Sequence, residues 1–479
     1  MRRVICSIVL VVGLCVALVA CSKDESNLLE VPSESIIVPN AGVQGTTTFD
    51  SRNITSLTPT SIPNGWTVDN IDMYKGTITV TAPVSFDNEE VRRGFLHLKG
   101  YTPIGKTRGV SIFLAIAETI PFNDAANCYV ATTPQKRYAF NPMVGGNGDV
   151  ELATAEIKLL WQTSTDLVEY IDMRENENGA MEASFFIDED EQNEGRVVAG
   201  NALIGAFNSA GEIIWSWHIW VTNNDPSKSA VELNDQIMMN VNLGGEHNSN
   251  GSTNGDDIYC SYGMYYQWGR KDPFVGPLAY NFPSNDDDNI YNSDGYRIPL
   301  EYVDSTTEQG TVEWATAHPM ALIKGYKDNG YDWLYDEHNT ELWSASQKSK
   351  YDPCPAGWRM PDSSLFANLT IAASDDDLAW SEAQKQYGFN LVVNTEIERE
   401  YFFTAQGRRN YLDCRLDIFN DDETLPVPWS GYYWTVTTDG TDAKALYFDL
   451  NTATRTENSI DPSRSMQRAN AMPVRCVRE

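Results

Sequence analysis

Apolar residues recur at every second position along much of this chain, a period that fits strands and not helices. Ile78, Val80 and Ala82 alternate with threonines, and Val110, Ile112, Leu114 and Ile116 repeat the pattern. Ile157, Leu159 and Trp161 do so again, as do Tyr432, Trp434 and Val436, and then Leu446, Phe448 and Leu450. Gly, Pro and Asn lie between such runs, as expected of half-buried strands joined by turns. Around Ile213 to Val221, Trp215, Trp217 and Ile219 share one face while His218 and Trp220 share the other. A strand aromatic on both faces is expected to be buried on both, between sheets or at a domain junction. With 479 residues the chain is too long for one core, so the expectation is a mainly β multidomain protein.

The N-terminus sets the compartment. Arg2 and Arg3 precede an almost wholly apolar run from Val4 to Ala20, which ends at Cys21 and a charged stretch. This is the pattern of a signal peptide over residues 1–20. An uncleaved membrane anchor is the alternative, for which the run is slightly short of the roughly 20 residues needed. Leu18-Val19-Ala20-Cys21 resembles the lipobox of bacterial lipoproteins. The resemblance implies cleavage before Cys21 and lipidation of its thiol and amine, a stable membrane anchor. Ser22-Lys23-Asp24-Glu25 resembles the surface-export signal of Bacteroidetes lipoproteins. Residues 21–29 are then a lipidated tether, and the expected location is the outer membrane, exposed at the surface.

Charge and cysteines narrow the partners. Acidic residues number 67 against 35 Lys and Arg, a formal charge of −32, and cleavage would remove two of the arginines. Such a chain repels phosphate backbones, which excludes nucleic acid and leaves neutral glycans and proteins as ligands. Beyond the leader and Cys21, five cysteines remain: Cys128, Cys260, Cys354, Cys414 and Cys476. None forms a CxxC pair, and an odd number leaves a thiol unpaired within the monomer. HExxH, GxSxG and GxGxxG are all missing, so the sequence offers no metalloprotease, esterase or dinucleotide signature and implies no cofactor.

Three domains are expected. Residues 30–118 read as a β-sandwich. Gly65-Trp66, Gly76 to Thr81, Arg92-Arg93-Gly94-Phe95-Leu96 and a closing strand to Ala117 resemble the BACON family of immunoglobulin-like domains. Trp66 could stack on a sugar, but a core or edge tryptophan is the expectation. Residues 119–232 read as a second sandwich-like unit, with a solvated acidic loop at Asp188 to Glu194. Gly200-Asn201-Ala202, Gly211 and Trp215 to Trp220 resemble a module of large Bacteroidetes surface and fimbria-associated proteins. His218 could be a ligand or base, but it has no paired acid nearby in sequence, so a hydrogen-bonded structural histidine is expected.

Residues 233–479 carry the densest motif, Tyr351-Asp352-Pro353-Cys354-Pro355-Ala356-Gly357-Trp358-Arg359-Met360-Pro361. Its prolines and glycine fix a rigid turn. A helix is expected after Pro361, capped by Asp362 or Ser363 with Phe366 and Leu369 inward, and another from about Asp375 to Tyr387, stopped by Gly388. Asn242-Leu243-Gly244, Tyr262 to Arg270, Cys354 to Pro361, Tyr433-Trp434 and Val474-Arg475-Cys476-Val477 occur in the order of the Fibrobacter succinogenes major paralogous domain. The segment resembles that family, which implies an α+β C-type-lectin-like fold and, from the two best-matching motifs, a Cys354–Cys476 disulfide.

The resemblance also places recognition in the long loops between the later strands, from about Trp429 to Asn470. The candidate ligand-binding residues are Trp429, Tyr432, Tyr433, Asn451, Arg455, Asn458, Arg464, Arg468 and Asn470. Aromatic faces stack on sugar rings while Asn and Arg supply directional hydrogen bonds. The bland reading of the same stretch is core aromatics and a solvated loop. Asp286 to Asp288, Asp375 to Asp377 and Asp421 to Glu423 could give oxygens to calcium, but hydrated acidic loops and a helix start are favoured. The related formylglycine-generating enzymes use a cysteine pair that is not recognisable here. The sequence therefore points to a surface binding or adhesion protein rather than an enzyme, its ligand a glycan or a protein. An accessory or tip subunit of a fimbria-like assembly is the alternative. A glycan-active enzyme, which needs paired carboxylates in one cleft, ranks third.

Overall fold

A computed structural model describes residues 27–85, 92–176, 178–277, 279–280, 290–336, 338–371, 376–394, 399–417, 430–450 and 459–479. The fold is mainly β and falls into two compact units, up to Ile116 and from Ala117 onward. Among the described residues no helix is long and apolar enough to cross a membrane.

The first unit packs a four-stranded sheet and a three-stranded sheet around one core. The four-stranded sheet runs Ser35–Val38, Thr107–Ile116, Arg93–Tyr101, Ser56–Ser61, and its first pair is parallel. The three-stranded sheet runs Gln44–Thr48, Thr77–Thr81, Thr67–Asp72. The alternating residues do what their period requires: Ile78, Val80, Ile112 and Leu114 are fully buried. Trp66 lies in the same core and is not a surface platform.

The second unit begins as another sandwich. One sheet has the order Thr119–Pro121, Lys136–Phe140, Met181–Ile187, Glu169–Glu175. The facing sheet has six strands: Cys128–Ala131, Ile213–Val221, Gly200–Phe207, Glu156–Gln162, Ile290–Tyr291, Arg297–Ile298. Tyr138, Phe140, Phe185, Trp217 and Ile219 fill the space between the two sheets. Trp161, Leu203 and Trp220 point the other way, into a second core shared with Trp268, Trp333, Trp343 and Trp434. The expected burial of Ile213–Val221 on both faces is thus realised.

A domain boundary at residue 232 is not realised. Ile290–Tyr291 pairs with Gln162 and extends the sheet of the preceding segment, and the Trp268 core is lined from both sides of the expected boundary. Residues 117–479 form one unit because the outer face of the six-stranded sheet is apolar and is covered by side chains from beyond residue 232.

The remainder is built of short sheets. Val231–Leu233, Gln236–Met238, Val477–Arg478 and Trp358–Arg359 form one, and the hairpin strands Ser430–Asp439, Asp442–Asp449 and Ile460–Gln467 form another. The helix Asp376–Gln386 is present and gives way to the strand Gly388–Val393, as expected. After Pro361 the expected helix is only a 3-10 turn, Ser363–Phe366, with Asp362 accepting from Ser364 N at its start. Asn368, at φ 60°, turns the chain so that Leu369 enters a strand, buried as expected but not on a helix.

Cys354 and Cys476 form a disulfide. Asp352 holds the turn that carries Cys354: its carboxylate accepts Cys354 N at 2.9 Å and Met360 N at 2.8 Å. Burial raises its carboxyl from 3.8 to about 6. A carboxyl raised on folding binds its proton more tightly in the folded chain, so its contribution is present below the unfolded value and lost as pH rises through about 6. Relative to Asp352→Asn, which does not titrate, the wild type is expected to lose about 2 kcal/mol between pH 4 and pH 7. Urea unfolding of both proteins at the two pH values checks this. A difference between them that does not vary with pH would refute it.

Candidate functional site

The motif residues that carry the lectin-like resemblance are internal staples. Arg475 Nε donates to Asn242 Oδ1 at 2.8 Å, and Asn242 Nδ2 donates to Gln406 Oε1 at 2.8 Å. Trp268 Nε1 donates to Thr435 O, and Trp434 Nε1 to Tyr266 O. His218 is buried too, with Nε2 2.8 Å from Asn201 Oδ1 and Nδ1 3.2 Å from Tyr266 Oη. Desolvation depresses its pKa to about 3, which leaves a neutral structural ring.

The expected recognition residues divide into three groups. Trp429, Asn451, Arg455 and Asn458 lie outside the described residues, as do Cys21, Asp286 to Asp288, Asp375 and Asp421 to Glu423. Tyr433, Arg468 and Asn470 are fully buried, which corrects their placement on a binding surface. Tyr433 Oη donates to Thr404 O at 2.7 Å, and Asn470 Nδ2 donates to Gln467 O at 2.8 Å. Arg468 lies 4.4 Å from the Trp268 ring and 3.7 Å from the buried Asp332 carboxylate. These side chains are turned inward, where a ligand cannot reach them.

Tyr432 is buried as well, which corrects its placement too; Arg464 stays partly exposed, and the strands Ser430–Asp439 and Asp442–Asp449 bring further residues to this pair. Tyr432 and Tyr447 are paired in register across the first two strands, with ring centroids 5.2 Å apart. The Arg464 guanidinium sits 3.6 Å from the Tyr447 ring and keeps an ion pair with Asp461 at 3.6 Å. Arg408 approaches Tyr432 at 5.1 Å and is held by Asp417 at 2.9 Å. Burial pushes the Tyr432 phenol up to about 12, so both tyrosines stay neutral donors at physiological pH. The result is a ledge at which Tyr447 and two positioned guanidiniums lie against the buried Tyr432, able to donate directional hydrogen bonds.

Sequence reasoning missed Tyr447, Arg408 and Asp417. For Tyr447 the signal was present: Leu446 and Phe448 are fully buried, and the residue between them on a strand faces the other way. Arg408 and Asp417 are joined only by the pairing of their short strands, which no spacing announces.

A second constellation lies at a cleft of about 210 Å³ lined by Asn201, Glu246, Cys260, Tyr262 and Met264 among others. Donor atoms of Glu246, His247 and Cys260 all lie within 4.8 Å of one another. Among the described residues Cys260 is one of three free thiols; Cys128 and Cys414 are buried, and Cys260 is half-buried.

No family model matches the chain, and no curated protein matches it. Solved structures with partial similarity include titin Ig tandem domains A164-A165, at 12% identity over 41% of this chain and 97% of that one, TM-score 0.15. The D00-D0 domain of intimin gives 9% identity over 40% and 96%, TM-score 0.16. A Bacteroides ovatus protein, SGBP-B of a mixed-linkage glucan utilization locus in complex with a mixed-linkage heptasaccharide, gives 11% over 38% and 42%, TM-score 0.13. Likeness at this level carries no functional assignment.

Proposed function

We propose that the chain is a lipid-anchored surface protein of the outer membrane that binds a glycan or protein ligand through the C-terminal, lectin-like part of its second unit. The observation that carries this reading is the ledge formed by Tyr432, Tyr447, Arg408 and Arg464. Oriented guanidinium donors beside a half-buried tyrosine suit a ligand rich in hydroxyls better than they suit a wholly apolar one. The chain's formal charge of −32 keeps such a protein soluble at a surface and steers away polyanions.

Two experiments test the two halves of the reading. Arg464 is partly exposed and its ion pair with Asp461 is worth under about 1 kcal/mol. Arg464→Ala is therefore expected to leave the melting temperature nearly unchanged while weakening ligand binding about tenfold, the loss of one charged hydrogen bond. Titration calorimetry or cell-binding curves check it, and unaltered affinity would move the recognition surface elsewhere. For the anchor, Cys21→Ala is expected to release the protein from the membrane or stall it unprocessed, and to abolish labelling by an alkyne fatty acid. Undiminished labelling of the variant would exclude lipidation at Cys21.

A further inference from the structure

We propose that Glu246, His247 and Cys260 form a binding site for a thiophilic divalent cation, zinc above all, at the rim of the Asn201–Tyr262 cleft. A thiol, an imidazole and a carboxylate are the three donor types zinc accepts, and the thiol argues against calcium or magnesium, which take oxygen. Their donor atoms lie within 4.8 Å of one another. Ligands of a tetrahedral zinc stand roughly 3.3 to 3.8 Å apart, as its bond lengths require. The remaining closure is about 1 Å, within reach of small rotations because all three side chains are only half-buried.

The backbone holds the two ligand-bearing segments together. Glu246 N donates to Cys260 O at 2.8 Å, and His247 N leans on the same carbonyl at 3.4 Å. Cys260 ends the short helix Gly255–Cys260, whose start is capped by Asn254. The surrounding shell is also in place. Asp257 Oδ1 stands 3.7 Å from His247 Nε2, and its other oxygen accepts Ser252 Oγ at 2.7 Å. At that separation the carboxylate is an ionic neighbour of the ring, adding negative charge beside a bound cation. Asn223 Nδ2 donates to Glu246 Oε1 at 3.3 Å, fixing that carboxylate. Glu246 and Cys260 line the cleft, so a fourth coordination position would open toward it, available to water or to a ligand atom. Binding displaces the Cys260 proton to solvent and forms a metal–sulfur bond; no redox change is involved.

The test uses the full chain, stripped with chelator under mild reduction and titrated with Co(II) and then Zn(II). The expected result is one equivalent of Co(II) giving a thiolate-to-cobalt charge-transfer band, which Zn(II) abolishes by displacement. The band should disappear in Cys260→Ser, and His247→Ala should bind at least tenfold more weakly. Both substitutions lie at a partly exposed rim, so metal-free melting temperatures report whether either variant has lost its fold. Absence of the band in the wild type would overturn the proposal. So would a band that persists in Cys260→Ser, or an affinity unchanged in His247→Ala.

Discussion

Replacing Cys354 and Cys476 together by serine is expected to lower stability by about 5 kcal/mol, less any strain in the native bond, because the disulfide closes a loop with a sequence separation of 122. For a unit of this size that corresponds to a fall of about 6 °C in melting temperature. The bond anchors the closing segment at a crowded point. Met239 N donates to Cys476 O, Leu243 N donates to Val474 O, and Val477 pairs with both Met238 and Arg359. Without the crosslink those hydrogen bonds must hold the chain end alone. Peptide mapping without reduction should recover the linked pair. Melting midpoints of wild type and double variant that coincide under oxidising conditions would contradict this account.

Arg468→Ala is expected to cost about 3–5 kcal/mol, as removal of one partner of a buried ion pair does. Arg468 and Asp332 are both essentially inaccessible. The guanidinium also donates to Gly440 O at 3.1 Å and Asp442 O at 3.3 Å and lies against Trp268. Its loss leaves Asp332 with His338, at 2.8 Å, as the neighbouring ionisable partner among the described residues. Arg468→Lys should rescue little, since a point charge cannot reproduce the planar fork on the ring. Thermal melting separates Arg468 from Arg464: Arg468→Ala should melt several degrees low and Arg464→Ala should not. A melting temperature for Arg468→Ala within a degree of wild type would contradict the structural role assigned to it.

Local patterns were legible because they report local geometry. The alternation at Ile78–Val80 and Ile112–Leu114, the two-faced strand Ile213–Val221 and the helix before Gly388 could all be read directly. What could not be read depends on pairings distant in sequence. Residue 232 looked like a boundary because the strand at Ile290–Tyr291 is too short to announce that it extends the sheet of Glu156–Gln162. Arg468 and Asn470 looked like recognition residues because polar side chains in a loop-rich stretch are normally solvated. Only the fold reveals that Asp332 and Gln467 meet them inside. Arg464, four positions before Arg468, is of the same residue type yet stays partly exposed over Tyr447. The same shared core makes residues 233–479 alone an unsuitable fragment for binding work, since their removal from 117–232 would bare Trp268 and its neighbours.

The central claim, recognition at the Tyr432–Tyr447 ledge, is tested most directly by a glycan array probed in parallel with the labelled full chain, its Arg464→Ala variant and its Tyr447→Ala variant. The account predicts a small related set of glycans retained by the wild type and lost or strongly weakened in both variants. Retention of the same glycans at the same strength by all three proteins would contradict it.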